Sequence, residues 1–163
     1  MNETEQKVKS HRGGMVHFVL LHSYFIFLFA VILGAFLDPL VDKKIFSNII
    51  YQNIGFLMLI IGSIIIYWAQ TTSSNYQQRE IKNESRSYFE HGPYRYMRSP
   101  THFGLFIITL GFSLIMNSFF GIVLIIIAYI ITRLFFIKKE EELLETKYGQ
   151  VYRDYKKKVK NWI

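Results

Sequence analysis

Long apolar runs separated by polar segments dominate the first half of the chain. Residues 15–37 form a run of 23 residues without Asp, Glu, Lys or Arg, and residues 49–69 form a second run of 21. At roughly 1.5 Å per residue, a helix of either length crosses the roughly 30 Å of hydrocarbon in a bilayer. The pattern therefore predicts two transmembrane helices.

Two further apolar runs follow in the second half. Residues 103–116 and 119–137 are separated only by Asn117 and Ser118, which predicts a tight turn between antiparallel helices. The first of the two is short even if it begins at Pro100, so it would cross only a thinned bilayer or pack inside the bundle. We expect an all-α integral membrane fold with about four transmembrane helices.

The first run follows a basic head that contains Lys7, Lys9 and Arg12, as the apolar part of a secretory signal peptide does. The run is longer than that of a signal peptide and lacks a clear cleavage site made of small residues. We therefore expect a retained first helix.

The C-terminal segment has the pattern of an amphipathic helix. Tyr148 and Gly149 are typical of a helix end, and Val151, Tyr155 and Val159 then recur every four residues among basic side chains. Such a helix is expected to lie on the membrane surface.

The 163 residues, of which 51% are hydrophobic, have the length of one domain and too many apolar runs for a small soluble core. We expect a single membrane domain, residues 1–163. It would contain an N-terminal helix pair, 1–69, and a second half, 70–163, with a polar loop, a helix hairpin and the C-terminal helix.

Glycines mark the expected helix contacts. Gly55 and Gly62 lie seven residues apart in the second helix, and Gly104 and Gly111 lie seven apart in the third. Each pair falls on one helix face, where a neighbouring backbone can approach closely.

Basic residues are distributed unevenly among the segments between the helices. Three Lys or Arg residues precede the first helix, two lie in residues 38–48, five in residues 70–102, and eight follow residue 137. The side richer in Lys and Arg is usually cytoplasmic, which places both termini and the segment 70–102 there. The net charge of +7 follows from this asymmetry and from contact with membrane lipids, so it indicates no nucleic-acid partner.

Two polar clusters adjoin the helices on that side. One is the ring-rich segment 91–104, and the other is the acidic run Glu140, Glu141 and Glu142. Charged groups at the membrane boundary are costly unless they bind something. The two clusters are therefore the candidates for a functional site.

Ser99 followed by Pro100 predicts the start of the third helix, because the hydroxyl can accept a backbone N–H and proline needs no partner for one. The first amides of that helix, with Arg98 beside them, would favour an anionic group such as a carboxylate. The simpler interpretation is that Ser99 only caps the helix and Arg98 only reaches the interface.

Arg133 lies seven residues before Glu140, so the two would share a face of an α-helix. A carboxylate near the rings of Tyr88, Tyr94 and Tyr96 suits a weakly hydrated cation. Taken alone, the acidic run would be a solvated helix extension.

Other kinds of site find little support in the sequence. His17 and His22 in the first helix lack a third ligand nearby, so packing explains them better. We find no zinc-ligand spacing, no Gly-rich phosphate loop and no nucleophile elbow, and the chain has no cysteine. We therefore expect no metal site.

A set of short motifs in the second half occurs together in one known group of enzymes. The motifs are Gly92-Pro93-Tyr94, Arg98-Ser99-Pro100, Phe103-Gly104, Glu140-Glu141 with Leu143-Leu144, and Tyr148-Gly149 with Tyr152 and Tyr155. Over about residues 86–160 the chain resembles the C-terminal half of integral-membrane methyltransferases. That group comprises isoprenylcysteine carboxyl methyltransferase and the phospholipid N-methyltransferases.

The resemblance implies S-adenosylmethionine as cofactor, in a pocket that faces the cytosol, and a lipophilic small molecule or lipid as the substrate that enters from the bilayer. The catalytic residues that it implies are Arg98, His102 and Arg133. The implied cofactor contacts are Tyr88, His91, Gly92, Pro93, Tyr94, Arg98, Ser99, Pro100, Thr101, His102, Glu140 and Glu141.

Three positions depart from the pattern of this group. Ser99 stands where His is common, His102 stands where Tyr is common, and Phe136 stands where the isoprenylcysteine branch has an Arg thought to meet the substrate carboxylate. Arg133 would have to replace that Arg. An amine acceptor would instead have to lose a proton, for which the imidazole of His91 or His102 is suited.

Two other functions stay open at this point. Membrane sterol and steroid reductases, which use NADPH, also end in a Tyr-Gly, Tyr, Tyr pattern, although the paired glutamates and the short chain argue against them. A non-catalytic four-helix membrane protein that retains the motifs is the other alternative. The sequence determines neither the acceptor nor the oligomeric state.

The charge distribution yields a test of topology. Because residues 38–48 carry few basic residues, a cysteine introduced at Lys43 should be labelled by a membrane-impermeant thiol reagent added outside intact cells, and one at Asn75 should not. Labelling of the Asn75→Cys variant, or protection of the Lys43→Cys variant, would reverse the assignment.

Overall fold

Helices make up all the regular elements in the residues that the computed structural model describes, 21–40, 49–81 and 91–159. The helices are α1, residues 21–37; α2, Ile49–Ile81; α3, Pro100–Ile115; α4, Phe119–Ile131; α5, Lys138–Tyr148; and α6, Gln150–Lys158. A π-helical segment, Thr132–Ile137, joins α4 to α5, and short 3-10 turns lie at Asp38–Leu40 and Gly92–Arg95. The predicted all-α fold is confirmed.

Three of the apolar helical stretches are long enough to cross a membrane, namely Leu21–Leu40, Ile49–Asn75 and Phe119–Thr146. The helix α3 has only 16 residues, or about 24 Å, and is the short member that the sequence predicts. Residues 15–20 of the first predicted span, His17 among them, lie outside the described residues.

The second helix is longer than predicted. It has 33 residues and continues beyond Ala69 into the segment that we expected to be a loop. Residues 70–81 are mostly polar but contain neither Gly nor Pro, so no residue there interrupts the helix. The second helix therefore carries polar side chains beyond its apolar stretch.

The two glycine pairs bring α2 and α3 into backbone contact. A Cβ atom at Gly62 would lie 2.8 Å from the carbonyl oxygen of Gly104, and one at Gly55 would lie 2.6 Å from that of Gly111. The glycines of one helix thus face those of the other in antiparallel order. The predicted close approach is confirmed.

The helices α1 and α4 meet at the opposite end from the polar clusters. Gly34 lies directly against Gly121, and the carboxylate of Asp38 accepts a hydrogen bond from the backbone N–H of Phe120 at 3.1 Å. Ser118 caps the same helix by accepting from the N–H of Gly121 at 2.9 Å. Asp38 thus ties the end of α1 to the predicted tight turn before α4.

The C-terminal helix is present, but of its three predicted apolar positions Val151 is exposed, Val159 half-buried and Tyr155 buried. Tyr152 and Tyr155 are buried against Leu144 of α5, whereas Val151 is 55% exposed. Gly149, with a φ of +59°, allows the chain to fold back between α5 and α6. Tyr155, which we expected to face the membrane, therefore packs within the protein. Contact of α6 with a membrane surface stays a prediction.

The glycine contacts lead to a stability test. In Gly62→Val the new side chain would overlap the carbonyl of Gly104 and the side chain of Ile108, and such overpacking typically costs about 1 to 3 kcal/mol. Ser63→Val adds the same residue at a neighbouring exposed position of α2. Thermal unfolding in detergent should show a lower midpoint for Gly62→Val only; equal midpoints would contradict the packing.

Candidate functional site

The two predicted polar clusters come together at one end of the bundle. The turn before α3 contacts α2, since Gly92 lies against Thr72. It also contacts α6, since the hydroxyl of Tyr155 donates to the backbone oxygen of Tyr94 at 2.7 Å. We call the polar cluster the group of side chains assembled there: Ser23, Tyr94, Arg98, His102, Glu140, Glu141 and Lys156.

The turn Gly92–Arg95 is held in place from two sides. Gly92 has a φ of +58°, and a Cβ atom there would collide with the side chain of Thr72, so glycine is required on both grounds. The hydroxyl of Tyr94 is hydrogen-bonded with Thr101 and Ser73. Burial, together with the negative charge of Glu140, raises the pKa of Tyr94 to about 12, so this hydroxyl stays protonated at neutral pH.

Glu141 holds the two cationic side chains of the polar cluster. Its carboxylate lies 2.8 Å from the guanidinium of Arg98 and 3.0 Å from Nζ of Lys156. Lys156 also contacts Glu145 at 2.9 Å, and these hydrogen bonds to Glu145 and Glu141 raise its pKa. Arg98 and Glu141 are largely buried, with side chains 13% and 11% exposed. The charge of Glu141 is therefore compensated within the protein.

Glu140 is in a different situation. Its side chain is 17% exposed, its Oε2 atom is buried, and that atom has no hydrogen-bond partner among the described residues. Nδ1 of His102 lies 3.6 Å from this oxygen, beyond hydrogen-bond distance. A buried carboxylate without a cation is costly, so this side chain is suited to a cationic ligand.

His102 connects Glu140 to the first helix. Its ring is 2% exposed, and Nε2 lies 3.1 Å from the hydroxyl of Ser23 in α1. The predicted site residue is therefore held between two polar side chains rather than facing solvent.

Arg98 offers a second unsatisfied group. Its Nε atom is buried without a hydrogen-bond partner in the described part of the chain, and its NH1 atom, although 2.8 Å from Glu141, is not aligned for a hydrogen bond. An anionic ligand could therefore bind Arg98 without first removing a well-formed hydrogen bond.

The π-helical segment corrects the expectation that Arg133 shares a face with Glu140. The buried positions in this helix are Ile125, Ala128, Tyr129, Thr132, Ile137, Glu141 and Leu144. Thr132 and Ile137 are five residues apart, one turn of a π-helix, and this wider turn brings Glu140 and Glu141 onto the face of Thr132 instead. Arg133 is half-buried and forms no ion pair with an acidic side chain in the described ranges.

Phe136 makes an apolar contact at the position where a substrate-binding Arg was considered. Its ring stacks on that of His22 in α1 with centroids 6.4 Å apart. The position therefore contributes packing between α1 and the π-helical segment.

Ser99 begins α3 as predicted, but without the expected capping hydrogen bond. Its ψ of 64° lies outside the extended range usual for a capping residue, while its backbone oxygen accepts from the N–H of Phe103 at 3.2 Å. The side chain of Ser99 thus accepts no hydrogen bond from the first backbone N–H groups of α3.

The remaining predicted residues divide into three groups. Pro93 and Pro100 are buried, and Thr101 is half-buried. His91 and Tyr96 are exposed, so neither ring is enclosed with the polar cluster. Tyr88 lies outside the described residues.

Sequence reasoning missed the contribution of α1 and α2. Ser23 contacts His102, Tyr24 is hydrogen-bonded with Gln70, and Ser73 contacts Tyr94. The polar triplet His22-Ser23-Tyr24 inside an apolar run was the available signal, since polar residues in membrane helices often mark function. Thr132 was also missed; its hydroxyl is fully buried and has no hydrogen-bond partner among the described residues.

Together these groups suit a small zwitterionic ligand. Among the described residues, Glu140 provides a buried carboxylate oxygen without a hydrogen-bond partner, and Arg98 provides a cationic N–H without one in the same cluster. The surrounding helices restrict water, which strengthens such interactions.

Comparison with known proteins identifies one family. A model described as phospholipid methyltransferase matches residues 50–151, which include α2 to α5 and leave α1 and nearly all of α6 outside. No curated protein and no solved structure matches the chain significantly.

The ion pair between Arg98 and Glu141 should matter for stability even without a ligand. Removing one partner of a buried pair costs about 3 kcal/mol or more, so Arg98→Gln should lower the thermal unfolding midpoint in detergent. Arg95→Gln, at an exposed position three residues earlier, should change stability by no more than about 0.5 kcal/mol. Equal effects of the two substitutions would argue against a structural role for the pair.

Proposed function

The chain belongs to the phospholipid methyltransferase family, and we propose that it transfers a methyl group from S-adenosylmethionine to a lipophilic acceptor that enters from the bilayer. The family supports the reaction class. The polar cluster supports the cofactor, as the following contacts argue.

The observation that carries the proposal is the pair of unsatisfied groups, Glu140 Oε2 and Arg98 Nε. S-adenosylmethionine has a positively charged sulfur and, in its amino-acid part, an ammonium and a carboxylate. Glu140 is suited to the cationic atoms of this molecule and Arg98 to its carboxylate. Tyr94 and His102 lie beside Glu140 and complete the proposed binding residues.

When bound, the cofactor supplies an electrophilic methyl group on a positively charged sulfur. The protein contributes alignment and exclusion of water rather than a nucleophile of its own. The hydrogen bond from Tyr155 to Tyr94 and the contacts of Lys156 with Glu141 fix the turn and α5 relative to each other. The segments that carry Arg98 and Glu140 are thereby connected through α6.

The cationic side chains of the polar cluster argue against a reductase that uses NADPH. Binding several phosphate groups requires several cations, yet among the described residues of the polar cluster Lys156 is paired with Glu141 and Glu145, which leaves Arg98 as the cation with an unsatisfied N–H. An uncompensated Glu140 would repel phosphate. The site therefore favours a cationic or zwitterionic cofactor.

We place the polar cluster on the cytoplasmic side, with both termini. The Lys and Arg distribution supports this. The contacts of the turn Gly92–Arg95 with α2 and α6 agree with a common end for these segments, and the bond of Asp38 to Phe120 agrees with an opposite end.

The proposal predicts that protein purified in detergent binds S-adenosylmethionine. Glu140→Gln keeps the shape of the side chain and removes its charge, so binding should weaken by about 1 to 3 kcal/mol, or roughly 5- to 150-fold. Equilibrium binding of radiolabelled cofactor, with NADPH in parallel, measures this.

Glu142→Gln is the matched control, because Glu142 is exposed two residues further along the same helix and should bind the cofactor with unchanged affinity. Equal affinity of the Glu140→Gln variant and the unchanged protein would remove Glu140 from the site.

The acceptor is predicted from the residues near the π-helical segment. Phe136 offers no charge, and the face of Arg133 is turned relative to that of Glu140, so a carboxylate acceptor would be buried without a cation at a cost of several kcal/mol. We expect little transfer to the carboxylate of a farnesylcysteine analogue and more to neutral or amine-bearing lipids, measured with labelled cofactor in membranes. Efficient esterification of the analogue that Arg133→Ala abolishes would contradict this preference.

A further inference from the structure

We propose that Ser23 is a positioning residue whose hydroxyl binds Nε2 of His102 and holds the ring with Nδ1 facing Glu140, where an Nδ1–H favours the ionised form of that carboxylate. This inference rests on the proposed function, in which Glu140 binds a cation. It assigns to α1, which lies outside the residues matched by the family model, a part in forming the site.

The three side chains form a continuous buried line across the bundle. The hydroxyl of Ser23 in α1 lies 3.1 Å from Nε2 of His102 in α3, and Nδ1 of His102 lies 3.6 Å from Oε2 of Glu140 in α5. Ser23 is 1% exposed and His102 is 2% exposed. Water is therefore excluded from the first contact. In the second, Nδ1 faces the carboxylate at a distance longer than a hydrogen bond.

The tautomer follows from the groups at the two ends of this line, the hydroxyl of Ser23 and the carboxylate of Glu140. A neutral imidazole carries one N–H. If Nε2 carried it, the lone pair of Nδ1 would face a carboxylate oxygen, which is repulsive. If Ser23 donates to Nε2 instead, Nδ1 carries the hydrogen and directs it at Glu140. A hydroxyl can donate or accept, so both ends act together: an ionised Glu140 disfavours the Nε2–H form, and donation from Ser23 stabilises the Nδ1–H form.

Glu140 depends on this N–H because its other neighbours among the described residues supply no cation. The groups within electrostatic range of it are Tyr24 of α1, Tyr94 of the turn, Tyr152 of α6 and the adjacent Glu141. The cations Arg98 and Lys156 contact Glu141 instead. In this part of the chain, His102 is therefore the group that can stabilise the charged form of Glu140 before a cofactor binds.

The tautomer can be observed directly, without a cofactor. In protein with ¹⁵N-labelled histidine in detergent micelles, the ¹⁵N shifts of His102, identified by their loss in His102→Gln, should show a protonated Nδ1 and an unprotonated Nε2. Ser23→Thr retains the hydroxyl and should retain this pattern, whereas Ser23→Ala should lose it. Ser113→Ala, which alters another buried serine, is the control and should leave it unchanged. A protonated Nε2 in the unchanged protein would overturn the inference.

The role of Ser23 in cofactor binding should appear in the pH dependence of the affinity for S-adenosylmethionine. Without the Nδ1–H, Glu140 takes up a proton at a higher pH. The Ser23→Ala variant should therefore lose S-adenosylmethionine at a pH about one unit higher than the unchanged protein does, which corresponds to a roughly tenfold weaker affinity on the acid side. Ser23→Thr and Ser113→Ala should keep the original midpoint.

The two proposals fail in different ways. If the unchanged protein binds the cofactor but Ser23→Ala keeps the original midpoint, the positioning role of Ser23 is wrong and the proposed function stands. If the unchanged protein binds no S-adenosylmethionine at any pH, the proposed function is wrong, and with it the purpose assigned to the charge of Glu140.

Discussion

This structure is arranged around one constraint: a buried carboxylate oxygen in the helix bundle that has no cation of its own among the described residues. Glu140 and Glu141 are adjacent and both largely buried, yet both nearby cations, Arg98 and Lys156, contact Glu141. Breaking the compensation of a buried charge typically costs about 3 to 5 kcal/mol. The protein therefore tolerates an unfavourable group at Glu140, and a cationic ligand would relieve it.

Features far from Glu140 determine where it lies. The π-helical turn rotates α5 so that the acidic residues follow the buried face of Thr132 and Ile137. The facing glycines hold α2 against α3 at backbone distance, which fixes His102 beside the end of α5. The helix α6 then folds back at Gly149 and anchors the turn before α3 through Tyr155. Packing in the apolar part and hydrogen bonding at the polar end thus act on the same few side chains.

Much of this arrangement is predictable from sequence, because it depends on local patterns. Apolar run lengths predict the helices, and the start of α3 follows from Pro100. The seven-residue spacing within each glycine pair, Gly55 with Gly62 and Gly104 with Gly111, predicts the helix faces along which backbones approach. The π-helical segment TRLFFI contains neither Gly nor Pro, so nothing in its sequence marks the extra residue in the turn. The prediction that Arg133 and Glu140 share a helix face fails for that reason. Contacts such as Ser23 with His102, 79 residues apart, depend on the rotation of whole helices, which the spacing of apolar residues does not determine.

The central claim is that Glu140 is reserved for the cation of a bound cofactor. An experimental structure of the protein with S-adenosylmethionine tests it through the distance from the Glu140 carboxylate to the nearest cationic atom of the cofactor. We expect that distance to be within about 4 Å, the range of an ion pair, with Arg98 and Lys156 still contacting Glu141. Cofactor bound with its cationic atoms at another carboxylate, and Glu140 left facing only His102, would contradict the account.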